Sequence, residues 1–184
     1  MIVGYLGPEG TYTEQAVDDF LRVRDEKAKK APFLSIKEIF QSLKDKRFDA
    51  AVLPLHNTLA GDYGDTVRGL EEGNFITLDT LELKIEICAG IHPQSGKSKI
   101  MEVRSRDTAL RECSQYLGRE FPRIKKVEVD STALTMREIM QEGLMHVMAV
   151  GSEFGMNKYG LNIVDRNIEN NSNNYTRFIY ITLK

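Results

Sequence analysis

The sequence Asn173-Asn174-Tyr175-Thr176-Arg177-Phe178 lies close to the end of the 184-residue chain and leads into the apolar run Ile179–Leu183. This run is rich in β-branched and aromatic residues, which predicts a terminal strand. A threonine hydroxyl and an arginine guanidinium stand side by side where that strand begins. Together they could hold an anion and give a proton to a leaving oxygen, although in isolation the two are better interpreted as ordinary residues at the edge of a strand.

Strand and helix patterns alternate along the whole chain. Met1–Leu6 and Asp49–Leu53 are apolar runs typical of strands, and the segments that follow them carry apolar residues at helical spacing. This alternation predicts an α/β fold with largely parallel sheets. Because strand–turn–helix units recur in both halves, we expect two lobes, residues 1–78 with 162–184 and residues 79–161. A ligand is expected in the cleft between them.

The composition and charge of the chain argue against several classes of protein function. A chain with 41% hydrophobic residues can bury a substantial core, and a net charge of −2 without a basic stripe argues against nucleic-acid binding. No apolar run is long enough to predict a membrane span. Cys88 and Cys113 lack metal-ligand spacing and are interpreted as reduced, half-buried thiols. We therefore expect a cytoplasmic protein that binds a small molecule and has no metal site.

Four predicted strand-to-helix turns carry hydroxyl side chains: Thr11 with Thr13, Ser105, Ser131 with Thr132, and Ser152. Each turn places backbone N–H groups and a side-chain oxygen at a helix N-terminus, which favours anions. Serine and threonine are also the commonest helix caps, so each hydroxyl taken singly is more often structural. Several such turns facing one cleft would suit a ligand with more than one negative charge.

A second polar segment, Pro54-Leu55-His56-Asn57-Thr58, follows a strand predicted to be buried. Side chains at this position often reach the ligand in α/β folds. Asn57 offers both a donor and an acceptor, and the ring nitrogens of His56 can also donate or accept a hydrogen bond. A loop closed by an Asx turn is an equally good interpretation of these residues alone.

Six segments resemble, in order, the motifs of the prephenate dehydratase family. They are Tyr5–Glu14, Leu53–Thr58, Ser131–Ala133, Ala149–Glu153, Tyr159–Leu161 and Asn174–Phe178. The resemblance covers essentially the whole chain, and six ordered motifs are far more specific than any one of them. It implies two α/β lobes similar to the type II periplasmic binding protein fold. It also implies conversion of prephenate to phenylpyruvate in phenylalanine biosynthesis, without a cofactor, by a homodimer.

The resemblance also implies roles for individual residues. Thr176 is expected to be the general acid that protonates the leaving ring hydroxyl. The residues expected to bind substrate are Gly7, Glu9, Gly10, Thr11, Asn57, Thr58, Ser105, Ser131, Thr132 and Arg177. Further possible contributors are His56, Arg106, Glu112 and Phe178.

This sequence departs from the family pattern at several positions. His56 replaces the usual Glu, Ile87 replaces His, Glu112 replaces Gln, and Arg106-Asp107-Thr108 replaces His-Pro-Gln after Ser105. The phenylalanine-binding regulatory domain of many members is not expected in this chain.

Four functions remain open: a dehydratase acting on prephenate, one acting on arogenate, a prephenate decarboxylase, and a non-catalytic binding module. Because a decarboxylase keeps the ring hydroxyl, retention of Thr176 favours a dehydratase.

Overall fold

The chain folds into two compact α/β units in the computed structural model, which describes residues 1–184. The first unit comprises Met1–Lys84 and Asn173–Lys184, and the second comprises Ile85–Ser172. None of the helices is long and apolar enough to cross a membrane.

The first unit holds one mixed sheet and three helices. Its strands are β1 (Ile2–Leu6), β2 (Lys29–Phe33), β3 (Ala50–Asn57), β4 (Gly61–Asp62), β5 (Phe75–Lys84) and β11 (Tyr175–Leu183). Its helices are α1 (Tyr12–Val23), α2 (Ile36–Lys44) and α3 (Gly64–Glu71). The strands follow the order β2-β1-β3-β11-β5, with β4 paired to the outer end of β3.

One edge of this sheet collects the predicted site residues of the first unit. Strands β1 and β3 run parallel, so their carboxyl ends meet at the same edge. Strand β11 runs antiparallel to β3, so its amino end lies there too. The turn after Leu6, the residues around Asn57 and the start of β11 at Tyr175 are therefore neighbours along that edge.

The inner strand β11, which lies between β3 and β5, is buried on both faces over residues 178–181 because helices cover both. Phe178 and Tyr180 pack on the side of α1 with Phe20, whereas Ile179 and Ile181 pack on the side of α2. Successive strand residues point to opposite faces, so the near-continuous apolar run seen in the sequence is what such a strand requires. Full burial of a side chain such as Phe178 contributes about 1.5–3 kcal/mol.

The second unit also holds a mixed sheet, covered by four short helices. Its strands are β6 (Cys88–Ile91), β7 (Glu102–Ser105), β8 (Lys125–Glu128), β9 (Val147–Gly151) and β10 (Asn162–Asp165), in the order β10-β6-β9-β7-β8. Its helices are α4 (Asp107–Glu112), α5 (Ser114–Glu120), α6 (Thr132–Gln141) and α7 (Glu153–Tyr159). A single 3₁₀ turn spans Lys97–Lys99.

Two fold predictions need correction. The sheets are mixed rather than largely parallel. All four strands next to the two points where the chain passes from one unit to the other pair antiparallel: β5, β6, β10 and β11. The passages themselves lie after Lys84 and Ser172, not after residues 78 and 161. Strand β5 stays paired with β11 as far as Lys84, and β10 pairs with β6, so residues 162–172 belong to the second unit.

The glycine at the end of β9 offers a test of packing in the second unit. A Cβ atom on Gly151 would lie 2.7 Å from Cγ2 of Thr132 and 2.8 Å from Cε of Met136. We expect Gly151→Ala to lower the free energy of unfolding by about 1–3 kcal/mol in urea denaturation. Gly96→Ala is the matched control, since no heavy atom lies within 4 Å of its added Cβ. Equal stability of the two variants would contradict the packing described here.

Candidate active site

The hydroxyl of Thr176 lies in a buried polar network with the side chain of Asn57. Thr176 and Asn57 are register partners on β11 and β3, and each is almost fully buried. The Asn57 amide Nδ2 donates to Thr176 Oγ1 at 2.9 Å and to Asn174 Oδ1 at 2.7 Å. The network therefore joins residues that are far apart in sequence at the edge of the first sheet.

Two backbone amides fix which way the Asn57 side chain points. The N–H groups of Leu59 and Ala60 donate to Asn57 Oδ1 at 3.0 and 2.9 Å. Backbone N–H groups are always donors, so Oδ1 must face the turn and Nδ2 must face Thr176. The Asx turn considered from the sequence is thus real, and it also orients the amide toward the candidate acid.

The direction of these hydrogen bonds leaves one hydrogen unused. Thr176 Oγ1 accepts the Asn57 N–H, and no protein group accepts the hydroxyl hydrogen of Thr176. A buried hydroxyl that accepts a fixed N–H can direct its own hydrogen toward a ligand oxygen. The N–H at Oγ1 also favours negative charge on that oxygen when the hydrogen moves away.

Arg177 does not form a single unit with Thr176, contrary to the expectation from their adjacency. Thr176 shares a face of β11 with Phe178, whereas Arg177 points to the opposite face, because strand side chains alternate. The Arg177 side chain is 51% exposed, and its guanidinium bonds Glu82 Oε1 through Nε at 3.1 Å and through a terminal nitrogen at 2.7 Å. Phe178 lies in the hydrophobic core.

His56 belongs to the exposed row that contains Arg177. Arg177 is the register partner of Glu82 on β5 and of His56 on β3, and His56 is the partner of Asp62 on β4. The Nδ1 atom of His56 lies 2.6 Å from a carboxylate oxygen of Asp62. The imidazole that replaces the family's Glu is therefore bound to a carboxylate within its own hairpin.

The turn after β1 uses its own polar groups to hold its shape. The Gly7 N–H donates to Phe33 O at 2.8 Å, and the Gly10 N–H donates to a carboxylate oxygen of Glu14 at 2.6 Å. A Cβ on Gly7 would lie 2.7 Å from Pro32 Cβ, and Gly10 has a φ of +84°, so both positions favour glycine for structural reasons. The predicted role of these two residues in substrate binding stays a prediction.

Thr11 and Glu14 complete this turn. Thr11 caps α1 by accepting the Glu14 N–H, and its hydroxyl lies 3.1 Å from Pro8 O. The buried carboxylate of Glu14 pairs with Lys30 at 2.8 Å. The sequence showed the capping spacing but not the ion pair, which joins helix α1 to strand β2. The side chain of Glu9 is exposed.

In the second unit, Ser105 lies at the carboxyl end of β7 inside a chain of hydrogen bonds. Its hydroxyl donates to Val150 O at 2.8 Å and lies 2.6 Å from the hydroxyl of Thr132, which is 3.4 Å from the Arg106 N–H. Since the Ser105 hydrogen goes to Val150, Thr132 must be the donor between the two hydroxyls. These side chains tie β7, β9 and α6 together.

The residues after Ser105 that differ from the family pattern line a pocket of about 280 Å³. Its walls include Arg106, Asp107, Glu128 and Asp130. Three carboxylates against one guanidinium make it a poor site for a doubly negative ligand. Ser131 caps α6 beside it by accepting the N–H of Leu134.

Two further residues that differ from the family pattern, Ile87 and Glu112, both interact with the carboxylate of Glu169, which the sequence analysis did not identify. Glu169 accepts the N–H of Ile87 at 2.9 Å. Burial raises the pKa of Glu112, and the negative charge of Glu169 raises that pKa further. Glu112 is therefore held in an environment that disfavours its charged form.

Both cysteines are buried, more deeply than the half-buried thiols expected from the sequence. Burial raises the pKa of Cys88 to about 11 and that of Cys113 to about 12. The thiols are therefore protonated at neutral pH, and neither is activated as a nucleophile.

Comparison with known structures defines the class of fold. A periplasmic substrate-binding protein of an ABC transporter from Coxiella burnetii has a TM-score of 0.50 at 13% identity, covering 99% of this chain and 84% of that one. Prephenate dehydratase from Arthrobacter aurescens in complex with L-Phe has a TM-score of 0.89 at 22% identity, covering 100% and 61%. These likenesses confirm the predicted α/β fold, which is similar to that of periplasmic binding proteins.

The family follows from the sequence. The family model "Prephenate dehydratase" matches residues 3–184, and the chain belongs to this family. A bifunctional chorismate mutase/prephenate dehydratase from Enterobacter agglomerans is 29% identical over 99% of this chain, and one from Aquifex aeolicus is 30% identical over 97%. The chain covers 47% and 48% of these proteins, about half the length of the curated relatives it matches.

The fold alone does not decide the reaction. GqqA, described as a novel type of quorum-quenching acylase, has a TM-score of 0.84 at 22% identity, covering 100% of this chain and 64% of that one. Proteins that share a fold often catalyse different reactions, so any reaction assigned to this chain must be supported by its site residues.

The raised pKa of Glu112 generates a test of stability against pH. Because the pKa in the folded chain lies above that in the unfolded chain, the wild type loses stability as pH rises through the folded value. We expect Glu112→Gln to melt at a higher temperature than wild type at about pH 8, with the difference vanishing below about pH 4. Glu71→Gln, at an exposed position in α3, is the control. A lower melting temperature for Glu112→Gln than for wild type at high pH would contradict the assignment.

Proposed function

We propose that the chain is a prephenate dehydratase that converts prephenate to phenylpyruvate, with Thr176 as the general acid. The observation that carries the proposal is the direction of the hydrogen bond between Asn57 and Thr176. The buried Thr176 hydroxyl accepts the Asn57 N–H at 2.9 Å, which leaves its own hydrogen for a ligand. Membership of the prephenate dehydratase family supports the choice of substrate.

The reaction needs little more than a well-placed hydrogen-bond donor. The bond from the ring to its carboxylate breaks, and carbon dioxide leaves while the electron pair enters the ring. The bond from the opposite ring carbon to its hydroxyl breaks, and the departing hydroxide takes a proton to become water. Aromatisation drives both steps, and no redox partner is required. Solvent returns the proton to Thr176.

An ordinary threonine hydroxyl is a weak acid, so its surroundings must assist it. The Asn57 N–H stabilises negative charge that develops on Oγ1 as the hydrogen moves toward the leaving oxygen. Both groups are buried and prearranged, so they need not reorganise during the reaction. Thr176 therefore acts by a directed hydrogen bond to developing hydroxide rather than by prior ionisation.

Arg177 is the cation among the predicted binding residues. It points to the opposite face of β11 from Thr176, and its exposed guanidinium is paired with Glu82. Its binding of a substrate carboxylate therefore stays a prediction that the geometry around Thr176 does not support. The proposal for Thr176 applies equally to arogenate, which keeps the ring carboxylate and hydroxyl, and the product distinguishes the two substrates.

Two alternatives predict different products. A prephenate decarboxylase would release carbon dioxide and keep the ring hydroxyl, which leaves the Thr176 hydrogen without a role. A non-catalytic binding module would return prephenate unchanged. Phenylpyruvate, identified by its absorbance in alkali and by mass, separates these outcomes from the proposed dehydration.

We further propose a homodimer located in the cytoplasm, on the family resemblance and on the two free thiols. Light scattering after size-exclusion chromatography should give twice the chain mass of 20.9 kDa. A single-chain mass at micromolar concentration would contradict the dimer.

The acid assignment is tested at Thr176. We expect Thr176→Val, which keeps the shape and removes the hydroxyl, to lower kcat for phenylpyruvate formation by at least about 10²-fold, because general acids contribute about 10²–10⁴-fold. Thr176→Ser keeps the hydroxyl and should retain most of the activity. Circular dichroism checks that both variants are folded. If the valine variant turns over at the wild-type rate, Thr176 is not the acid.

A further inference from the structure

Asn174 is linked to the candidate acid through Asn57. Its side chain is 2% exposed, and its Oδ1 accepts the Asn57 Nδ2 hydrogen bond at 2.7 Å. The Asn57 amide has two hydrogens and three acceptors near Nδ2: Asn174 Oδ1 at 2.7 Å, Thr176 Oγ1 at 2.9 Å and Tyr175 O at 3.1 Å. The short contact to Asn174 therefore helps to set where the hydrogen that meets Thr176 points.

The chain on either side of Asn174 is held by Thr58. The Thr58 hydroxyl donates to Asn173 O at 3.2 Å and accepts the Tyr175 N–H at 3.0 Å. The Thr58 N–H donates to Tyr175 O at 3.0 Å. Both neighbours of Asn174 are thus bonded to the residue that follows β3, and the Asn174 side chain is directed inward.

Without the Asn174 oxygen, one buried hydrogen of Asn57 would keep only the carbonyl of Tyr175, at 3.1 Å. Rotation of the amide toward this longer contact is the simplest adjustment. That rotation would carry the other N–H away from Thr176 Oγ1. The position of the Thr176 hydrogen therefore depends on an acceptor two residues earlier in the chain.

We propose that Asn174 is a positioning residue that holds the Asn57 amide so that its second N–H meets the Thr176 hydroxyl. The proposal rests on the proposed function of Thr176 as acid. Asn174 acts through Asn57, not by touching the substrate. The proposal predicts that substitution of Asn174 lowers kcat rather than raising KM, and that this effect is seen only when Asn57 is present.

A double-mutant cycle with prephenate separates this role from simple packing. We expect Asn174→Ala to lower kcat by about tenfold or more while KM changes by less than about twofold. On an Asn57→Ala background the same change should cost nothing further, since the group it positions is gone. Asn174→Asp keeps an acceptor oxygen and should recover most of the lost kcat. Asn162→Ala, at an exposed asparagine of β10, should match wild type.

Equal losses in both backgrounds, or a loss confined to KM, would overturn the positioning role. A second measurement does not depend on turnover: the side-chain NH₂ signals of Asn57 in ¹⁵N-labelled protein. Asn174→Ala should speed solvent exchange of one of the two hydrogens. If the signals change but prephenate is not consumed, the geometry stands and the proposed function fails. If the signals do not change, Asn174 does not hold the amide and the inference fails.

Discussion

The antiparallel pairing of β11 with β3 is the interaction on which the candidate site depends. It places Thr176 beside Asn57 across a sequence separation of 119 residues, inside a unit that is covered by helices on both faces. Register decides the outcome, because a slip by one residue would turn Thr176 outward and Arg177 inward. The alternation of Phe178 and Tyr180 against Ile179 and Ile181 makes that slip costly, since it would exchange the two hydrophobic layers.

Burial of the polar network raises the cost of any unsatisfied hydrogen bond and strengthens the bonds that form. Asn57 meets five partners through its amide: two backbone N–H groups at Oδ1, and two side-chain oxygens and the Tyr175 carbonyl at Nδ2. Each unmet partner inside the protein would cost about 1–3 kcal/mol, so the arrangement is sharply specified. The same dry surroundings strengthen a hydrogen bond to a developing hydroxide. Stability and the proposed chemistry therefore depend on the same contacts.

Local patterns in the sequence predicted much of this, and long-range pairing accounts for what they missed. Helix caps at Thr11, Ser131 and Ser152 follow from local spacing, and each is present. Strand alternation by itself predicts that Thr176 and Arg177 lie on opposite faces of β11, whereas their adjacency in the sequence suggests a single unit. Asn174 carries no local signal for a partner 117 residues away. The same holds for Glu169 beside Ile87, and for the Ser105 hydroxyl that bonds Val150.

Replacement of one nitrogen by oxygen tests the role of the Asn57–Thr176 hydrogen bond most directly. Asn57→Asp keeps the acceptor for Leu59 and Ala60, but its second oxygen would accept the Thr176 hydrogen instead of donating to Oγ1. The hydrogen would then point away from the substrate. We expect kcat for phenylpyruvate formation to fall by at least about 10²-fold in a folded variant with unchanged backbone amide signals of residues 59 and 60. Wild-type turnover in that variant would contradict the proposed role of Thr176 and of the amide that directs its hydrogen.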